Sequence, residues 1–256
     1  MKEKNLRLKK HLGQHFLINE SITQEIVNLL PKDKQFNLLE VGPGAGALTK
    51  YLLQLENVNY KAIEADEEKV QYLVKTFPNH ADKFLLGSFL DMDLPFEEEF
   101  IIIGNFPYNI SSQIMFQILD WIPKVTQVIG MFQKEVAQRI VAEHGSKDIG
   151  ILSVFTACFF KRHYHFDVPP EDFNPPPKVY SGVIKLDYIG NKYHIEDYPR
   201  FKKFVKILFS KRRKTLRNVL KPLLSSEILS DSFFDYRIEQ ISISEIVDLY
   251  KQHYEK

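Results

Sequence analysis

Four consecutive residues, Asn105-Phe106-Pro107-Tyr108, carry the groups needed to modify an exocyclic amine on a nucleic-acid base. The lone pair of such an amine is delocalised into the ring and must become more tetrahedral before it can attack a methyl group. The amide oxygen of Asn105 and the backbone carbonyl of Phe106 could accept its two N–H hydrogens and favour that geometry. Pro107 would fix the turn so that both acceptors converge. Tyr108 offers a flat face on which an extruded base can stack. The transfer itself would be an in-line displacement driven by positioning, with no strongly shifted acid or base. Taken alone, the four residues could also be a proline turn beside a buried tyrosine.

A second group lies upstream, in Glu40-Val41-Gly42-Pro43-Gly44-Ala45-Gly46-Ala47. Glycines there let the backbone pass close to a ligand beside a helix N-terminus. Glu64 follows at the end of a later apolar run, where a carboxylate can accept both hydroxyls of a ribose. Gly42, Gly44 and Ala47 also satisfy the dinucleotide pattern, so the loop leaves NAD(P) and S-adenosylmethionine both open. Two features lean toward the second. The carboxylate of Glu40 suits the amino-acid end of adenosylmethionine and would repel a pyrophosphate. The other feature is the turn at 105–108.

The elements that must hold these residues follow from periodicity. Residues 19–30 read as a helix capped by Asn19 or Ser21 and ended by Pro31. Strands are predicted at 36–41, 60–63, 83–86 and 100–103, with helices at 47–55 and 67–77 between them. Further strands are predicted at 125–132 and 179–186. Strands alternating with helices predict an α/β fold, a Rossmann-like open sheet of parallel βαβ units. In such a sheet the carboxyl ends of the strands bind ligands, and the glycine loop, Glu64 and Asn105 all fall there. Composition changes after about residue 188. Phe201, Phe204, Val205, Leu208 and Phe209 form a helical stripe after Pro199, and the remainder reads as helix. Two domains are therefore expected: 1–188, catalytic, and 189–256, small and helical.

The net charge of +1 conceals two basic segments. Residues 1–14 hold five Lys/Arg and one acid, and residues 200–221 hold ten Lys/Arg and no acid, leaving −13 for the rest. Such polarity points to a polyanion partner. Lys211, Arg212, Arg213, Lys214 and Arg217 are the candidate RNA contacts, read as one helix that continues the apolar stripe, with Arg213 and Arg217 sharing a face. A solvated helix face is the plainer alternative. Ordinary globular composition, 44 % apolar and 26 % charged, excludes wholesale disorder and a membrane bundle. The longest apolar run, 149–160, is too short to span a bilayer. The basic start is not followed by an apolar signal core. A single cysteine, Cys158, excludes an internal disulfide, fits a reducing cytoplasm, and reads as a core residue. His163 and His165 lack a third ligand, so no metal is expected. Asn109-Ile110-Ser111 reads as a helix start capped by Ser111 rather than a glycosylation site.

These motifs, in this order, resemble the rRNA adenine N6,N6-dimethyltransferase family, and within it the small-subunit (16S) branch associated with kasugamycin sensitivity. The resemblance covers nearly the whole chain. It is carried by Leu12-Gly13-Gln14-His15-Phe16-Leu17, by Glu40–Gly46, by Asn105–Tyr108, by Phe173-Asn174-Pro175-Pro176-Pro177-Lys178-Val179-Tyr180-Ser181, and by the basic stretch 209–220. It implies S-adenosylmethionine as cofactor, contacted by His15, Leu17, Gly42, Glu64, Ser88 and Asn105, and a target adenine gripped between Tyr108 and Phe173. It implies dimethylation of two adjacent adenosines near the 3′ end of 16S rRNA, in a cytoplasmic chain expected to be a monomer without metal or membrane contact. Three positions depart from the family's habit. His15 stands where Asn is common. Ser88 stands where an acid usually faces the adenine amino group, with Asp91 nearby. Phe106 replaces a commoner Leu, which should be harmless because its carbonyl is the working part. The large-subunit, macrolide-resistance branch shares most motifs, but the triple proline and the RRKTLRN stretch favour the small-subunit branch. A DNA adenine methyltransferase would need a target-recognition region that 256 residues barely accommodate. A non-catalytic assembly factor would not need Asn105, Glu64 and the glycines intact.

Overall fold

A computed structural model describes residues 15–255. In chain order the elements are β1 (Phe16–Leu17), α1 (Glu20–Val27), β2 (Phe36–Val41), α2 (Thr49–Leu52), β3 (Val58–Glu64), α3 (Glu67–Thr76), β4 (Phe84–Leu86), β5 (Phe100–Asn105), α4 (Ser111–Asp120), β6 (Val125–Gln133), α5 (Lys134–Val141), α6 (Ile151–Phe159), β7 (Phe160–Val168), β8 (Phe173–Asn174), β9 (Ser181–Tyr188), α7 (Tyr198–Ser210), α8 (Leu216–Leu220) and α9 (Ile243–His253). Two compact units result, residues 15–137 with 162–188, and residues 138–161 with 189–255. The segment 138–161, expected with the first domain, thus groups with the second.

The first unit is built on a seven-stranded sheet of order β4-β3-β2-β5-β6-β9-β7. Its first five strands are parallel, and β9 then runs antiparallel to β6. Parallel strands covered on both faces read as continuous apolar runs. Accordingly Leu38 and Leu39 of β2 and Ile101, Ile102 and Ile103 of β5 are all buried. Gly104 lets the end of β5 close against β2, because a Cβ there would lie 2.6 Å from the Val41 carbonyl oxygen. A second, two-stranded ladder pairs β1 with β8, Leu17 opposite Phe173.

Local chemistry sets the helix ends. Asn19 caps α1, its side chain accepting from the amides of Ser21 and Ile22. α1 stops at Val27, short of the predicted residue 30, and the chain tightens into turns in which the Leu29 and Leu30 amides donate to the Ile26 and Val27 carbonyls before Pro31. α2 is also shorter than predicted, because Ala47 and Leu48 belong to the turns that leave the glycine loop. Ser111 is the first residue of α4 and not its cap; its hydroxyl donates back to the Tyr108 carbonyl at 2.9 Å.

The second unit is helical, around the stripe of α7. Phe201, Phe204, Val205 and Leu208 are at most 2 % exposed. Tyr250 of α9 packs its ring 5.1 Å from that of Phe201, and Phe155 of α6 lies 6.0 Å from Phe201 on its edge. Cys158 is buried in the same unit. α7 ends at Ser210, and Lys211 leaves helical geometry. The basic residues therefore do not continue the helix of the stripe: 211–214 form a turn, and Arg217 sits on the separate α8. No described helix is long and apolar enough to cross a membrane.

Candidate active site

The site begins at the tips of β2 and β3. Val41 hands the chain to Gly42, Gly44 and Gly46, whose φ values of +68°, +58° and +84° L side chains rarely adopt. A Cβ on Gly44 would come within 3.0 Å of the Phe16 ring, so the loop leaves no room for a side chain there. Glu64 ends β3 and is 7 % exposed. Its Oε2 accepts from the Gly44 amide at 3.1 Å and its Oε1 from the Asp66 amide at 3.0 Å. The carboxylate is held rigidly across the loop, and each oxygen keeps a further lone pair for a ligand hydroxyl.

Glu40 is deeper still, 1 % exposed. Thr49 Oγ1 and the Tyr60 hydroxyl both donate to its Oε2. Burial pushes its pKa up to about 7, against the opposing pull of those two hydrogen bonds. A carboxyl poised there gains from a cationic ligand, which restores its charged form.

At the tip of β5, the Asn105 side chain donates through Nδ2 to the His15 carbonyl at 2.9 Å. That bond fixes the amide plane and leaves Oδ1 as its acceptor. Phe106 turns its ring inward, 1 % exposed and 4.9 Å from the Phe132 ring, while its amide donates to the Met131 carbonyl at 3.1 Å. Pro107 packs against Gly42, whose hypothetical Cβ would lie 3.8 Å from the Pro107 Cδ. The Tyr108 hydroxyl lies 2.5 Å from Ser181 Oγ at the start of β9. Burial raises its pKa, so the phenol stays neutral.

His15, Leu17, Glu40, Gly42, Gly44, Glu64, Ser88, Asn105, Phe106, Pro107 and Tyr108, all expected from sequence, line one cavity of about 300 Å³. Ser88 Oγ accepts from the Leu90 amide, which turns the chain after β4 along the wall. His15 reaches farther than expected: its Nδ1 is 2.8 Å from the Pro175 carbonyl and its ring lies 5.4 Å from that of Tyr108. Leu12, Gly13 and Gln14, and the basic residues of 1–14, lie outside the described residues.

Phe173 departs from its expected place. It is 2 % exposed, belongs to the core cluster with Leu17, Val168 and Val183, and does not line the cavity. Its alternation with Asn174 in the two-residue β8 turns its side chain inward. The basic residues belong to the second unit, and two of the five are already engaged. Arg217 is bound by Asp235, 2.7 Å from Nη2, and by the carbonyls of Leu229 and Asp231. Arg212 donates to the Lys147 carbonyl. Sequence reasoning missed Lys69 and named Phe16 only within the motif 12–17, without a role of its own; the two line the cavity together, the Lys69 ammonium 4.6 Å above the Phe16 ring and 3.9 Å from Asp66. The signal for Lys69 was its position one helical turn beyond Asp66, on the face of α3 that also buries Leu73. His163 and His165 lie on β7 with ring centroids 6.2 Å apart; among the described residues no three potential ligands converge on a metal.

Known proteins resemble this chain over nearly its whole length. A solved dimethyladenosine transferase from Plasmodium falciparum has the same fold, with a TM-score of 0.79 at 23 % identity, over 93 % of this chain and 97 % of that one. The solved 23S rRNA methyltransferase ErmE has it too, with a TM-score of 0.71 at 20 % identity, over 93 % and 99 %. The chain is 46 % identical over 249 residues to the ribosomal RNA small subunit methyltransferase A of Cytophaga hutchinsonii, which spans 95 % of this chain and 96 % of that protein. A model of the ribosomal RNA adenine dimethylase family matches residues 5–253, and the chain belongs to that family.

Proposed function

We propose that the cavity holds S-adenosylmethionine and that Asn105–Tyr108 presents the N6 amine of adenosine to it, giving N6,N6-dimethyladenosine at two adjacent adenosines near the 3′ end of 16S rRNA. The residues fit that cofactor. Glu64, fixed by two backbone amides, suits a ribose diol, and the buried Glu40 suits an ammonium. The cofactor supplies an electrophilic methyl group on a sulfonium. The chain supplies position: Asn105 Oδ1 and the Phe106 carbonyl accept the amine hydrogens, and Tyr108 carries the ring. The proton leaves to water after transfer. The small-subunit substrate is favoured over the large-subunit one by the 46 % identity to a small-subunit enzyme, since the fold alone matches both kinds. The enzyme then acts as a cytoplasmic monomer during small-subunit biogenesis.

One observation carries the reading: the Asn105 amide is anchored by His15 at the mouth of a cavity walled by Glu40 and Glu64. Asn105→Ala should abolish methyl transfer to small subunits lacking this modification, while cofactor affinity by calorimetry stays within about tenfold. Turnover near the parental rate would refute the assignment.

A further inference from the structure

Between the three prolines and β9, the chain leaves large apolar side chains in the open beside the reaction turn. Val179 is 45 % exposed and Tyr180 48 %, and Lys178 before them is exposed as well. A lone exposed aromatic needs no explanation; its surroundings here do. Tyr180 directly precedes Ser181, the hydrogen-bond partner of the Tyr108 hydroxyl. Ser181 lies opposite Gln133 at the end of β6, and Asn105 pairs with Met131 of the same strand. Tyr180 and Asn105 therefore occupy one edge of the sheet, where the parallel strands end.

A cation is fixed at this ring. The Lys134 amide donates to the Tyr180 carbonyl at 2.9 Å, and the Lys134 ammonium stands 5.7 Å from the ring centre. Asp167 holds that ammonium at 2.5 Å and accepts on its other oxygen from the Tyr164 hydroxyl. The Lys134 and Asp167 side chains are 39 % and 37 % exposed, so a phosphate can reach the ammonium without displacing buried structure.

We propose that Tyr180, with Lys134 beside it, is a stacking platform for a nucleotide flanking the target adenosine. The proposal rests on Asn105–Tyr108 being the amine-presenting turn. Extruding one base strips its neighbours of a stacking partner. An exposed ring at the same edge gives a neighbour a replacement face, and the fixed ammonium meets the phosphate between them. The contact tolerates any base and would set the depth to which the target enters.

The test compares the parent with Tyr180→Ala, Tyr180→Trp and Asn105→Ala, on small subunits lacking the modification. Initial rates, subunit binding by filter retention, cofactor affinity and melting temperature are measured for each. Tyr180→Ala should raise KM for subunits and weaken their binding by about 5- to 150-fold, the loss of one base–aromatic stack. Cofactor affinity and melting temperature should not move, and Tyr180→Trp should restore both RNA parameters. Parental KM and binding in Tyr180→Ala would overturn the proposal, as would a defect that Trp leaves uncorrected. Parental turnover in Asn105→Ala would refute the turn's assignment and with it the platform's place beside the target, and a Tyr180→Ala binding defect would then mark Tyr180 only as an RNA contact elsewhere on the substrate.

Discussion

Glu40 shows how burial can prepare a residue for one kind of ligand. With its pKa up to about 7, against an ordinary 4.5, the folded chain keeps its proton where an unfolded chain has lost it. The folded state thus binds more protons between about 4.5 and 7, so this residue's contribution to stability declines as pH rises through that window and is lost above it. Glu40→Gln keeps an acceptor for Thr49 and Tyr60 without the charge. It should therefore raise the melting temperature relative to the parent at pH 8, and much less at pH 5. A ligand ammonium reverses the balance by favouring the carboxylate. Adenosylmethionine affinity in the parent should fall as pH drops below about 7, with proton release on binding seen by calorimetry in buffers of different ionisation enthalpy. In Glu40→Gln the affinity should be lower and its pH dependence in this range flattened. A pH-independent parental affinity would place the ammonium elsewhere.

Among the elements, the small ladder of β1 and β8 decides how the site is closed. It fastens His15, which holds Asn105, and it does so by burying Leu17 and Phe173 against the sheet. Phe173→Leu, which removes three carbons but keeps a branched apolar side chain, should then cost about 1–3 kcal/mol of stability, less than full truncation, and leave kcat/KM for subunits within about threefold. Phe173→Ala should cost about 3–5 kcal/mol, read by denaturant unfolding. A drop of tenfold or more in kcat/KM for the stable Leu variant would return Phe173 to the base-gripping role that the family resemblance implies. The same ladder marks where the sequence is silent. β2, β5 and β6 are legible because each carries a buried apolar stretch, and β3 through its buried end at Ala62 and Ile63, and the loop, Glu64 and Asn105 come with them at the strand tips. β1 and β8 are two residues each and pair from far apart in the chain, so no periodicity announces them. β7 mixes cations, histidines and aromatic residues without a strict alternation in a half-exposed strand at the sheet's end, a weak pattern beside the buried strands. Lys69 and Phe16 reach the cavity only through tertiary packing, which spacing alone does not encode.

At the scale of the whole molecule, chemistry and charge occupy different units of one chain. The cavity is built wholly from the first unit, while the densest run of cations, residues 200–221, lies in the second. That run is not one amphipathic face. α7 spends its apolar stripe on the helical core and stops at Ser210. Arg217 then turns back to Asp235 and two carbonyls, a structural role, whereas Lys211, Arg213 and Lys214 are exposed on the turn between helices. The two groups should respond differently to removal. Each cation that neutralises a phosphate releases about 0.9 of a condensed counterion on a duplex, so losing it lowers the salt slope by about that much. Replacing Lys211, Arg213 and Lys214 together by Ala should weaken subunit binding and flatten its log–log salt slope by about two to three units, with cofactor affinity unchanged. Arg217→Ala should instead lower the melting temperature by several degrees, since about 1 kcal/mol is worth about 2–4 °C in a chain of this size, and leave the slope alone. Titrations at four or five salt concentrations separate the cases. If the triple variant runs parallel to the parent, these cations serve solubility, and the phosphate contacts belong to the rest of the basic segment, at Lys202, Lys203 and Lys206 along α7.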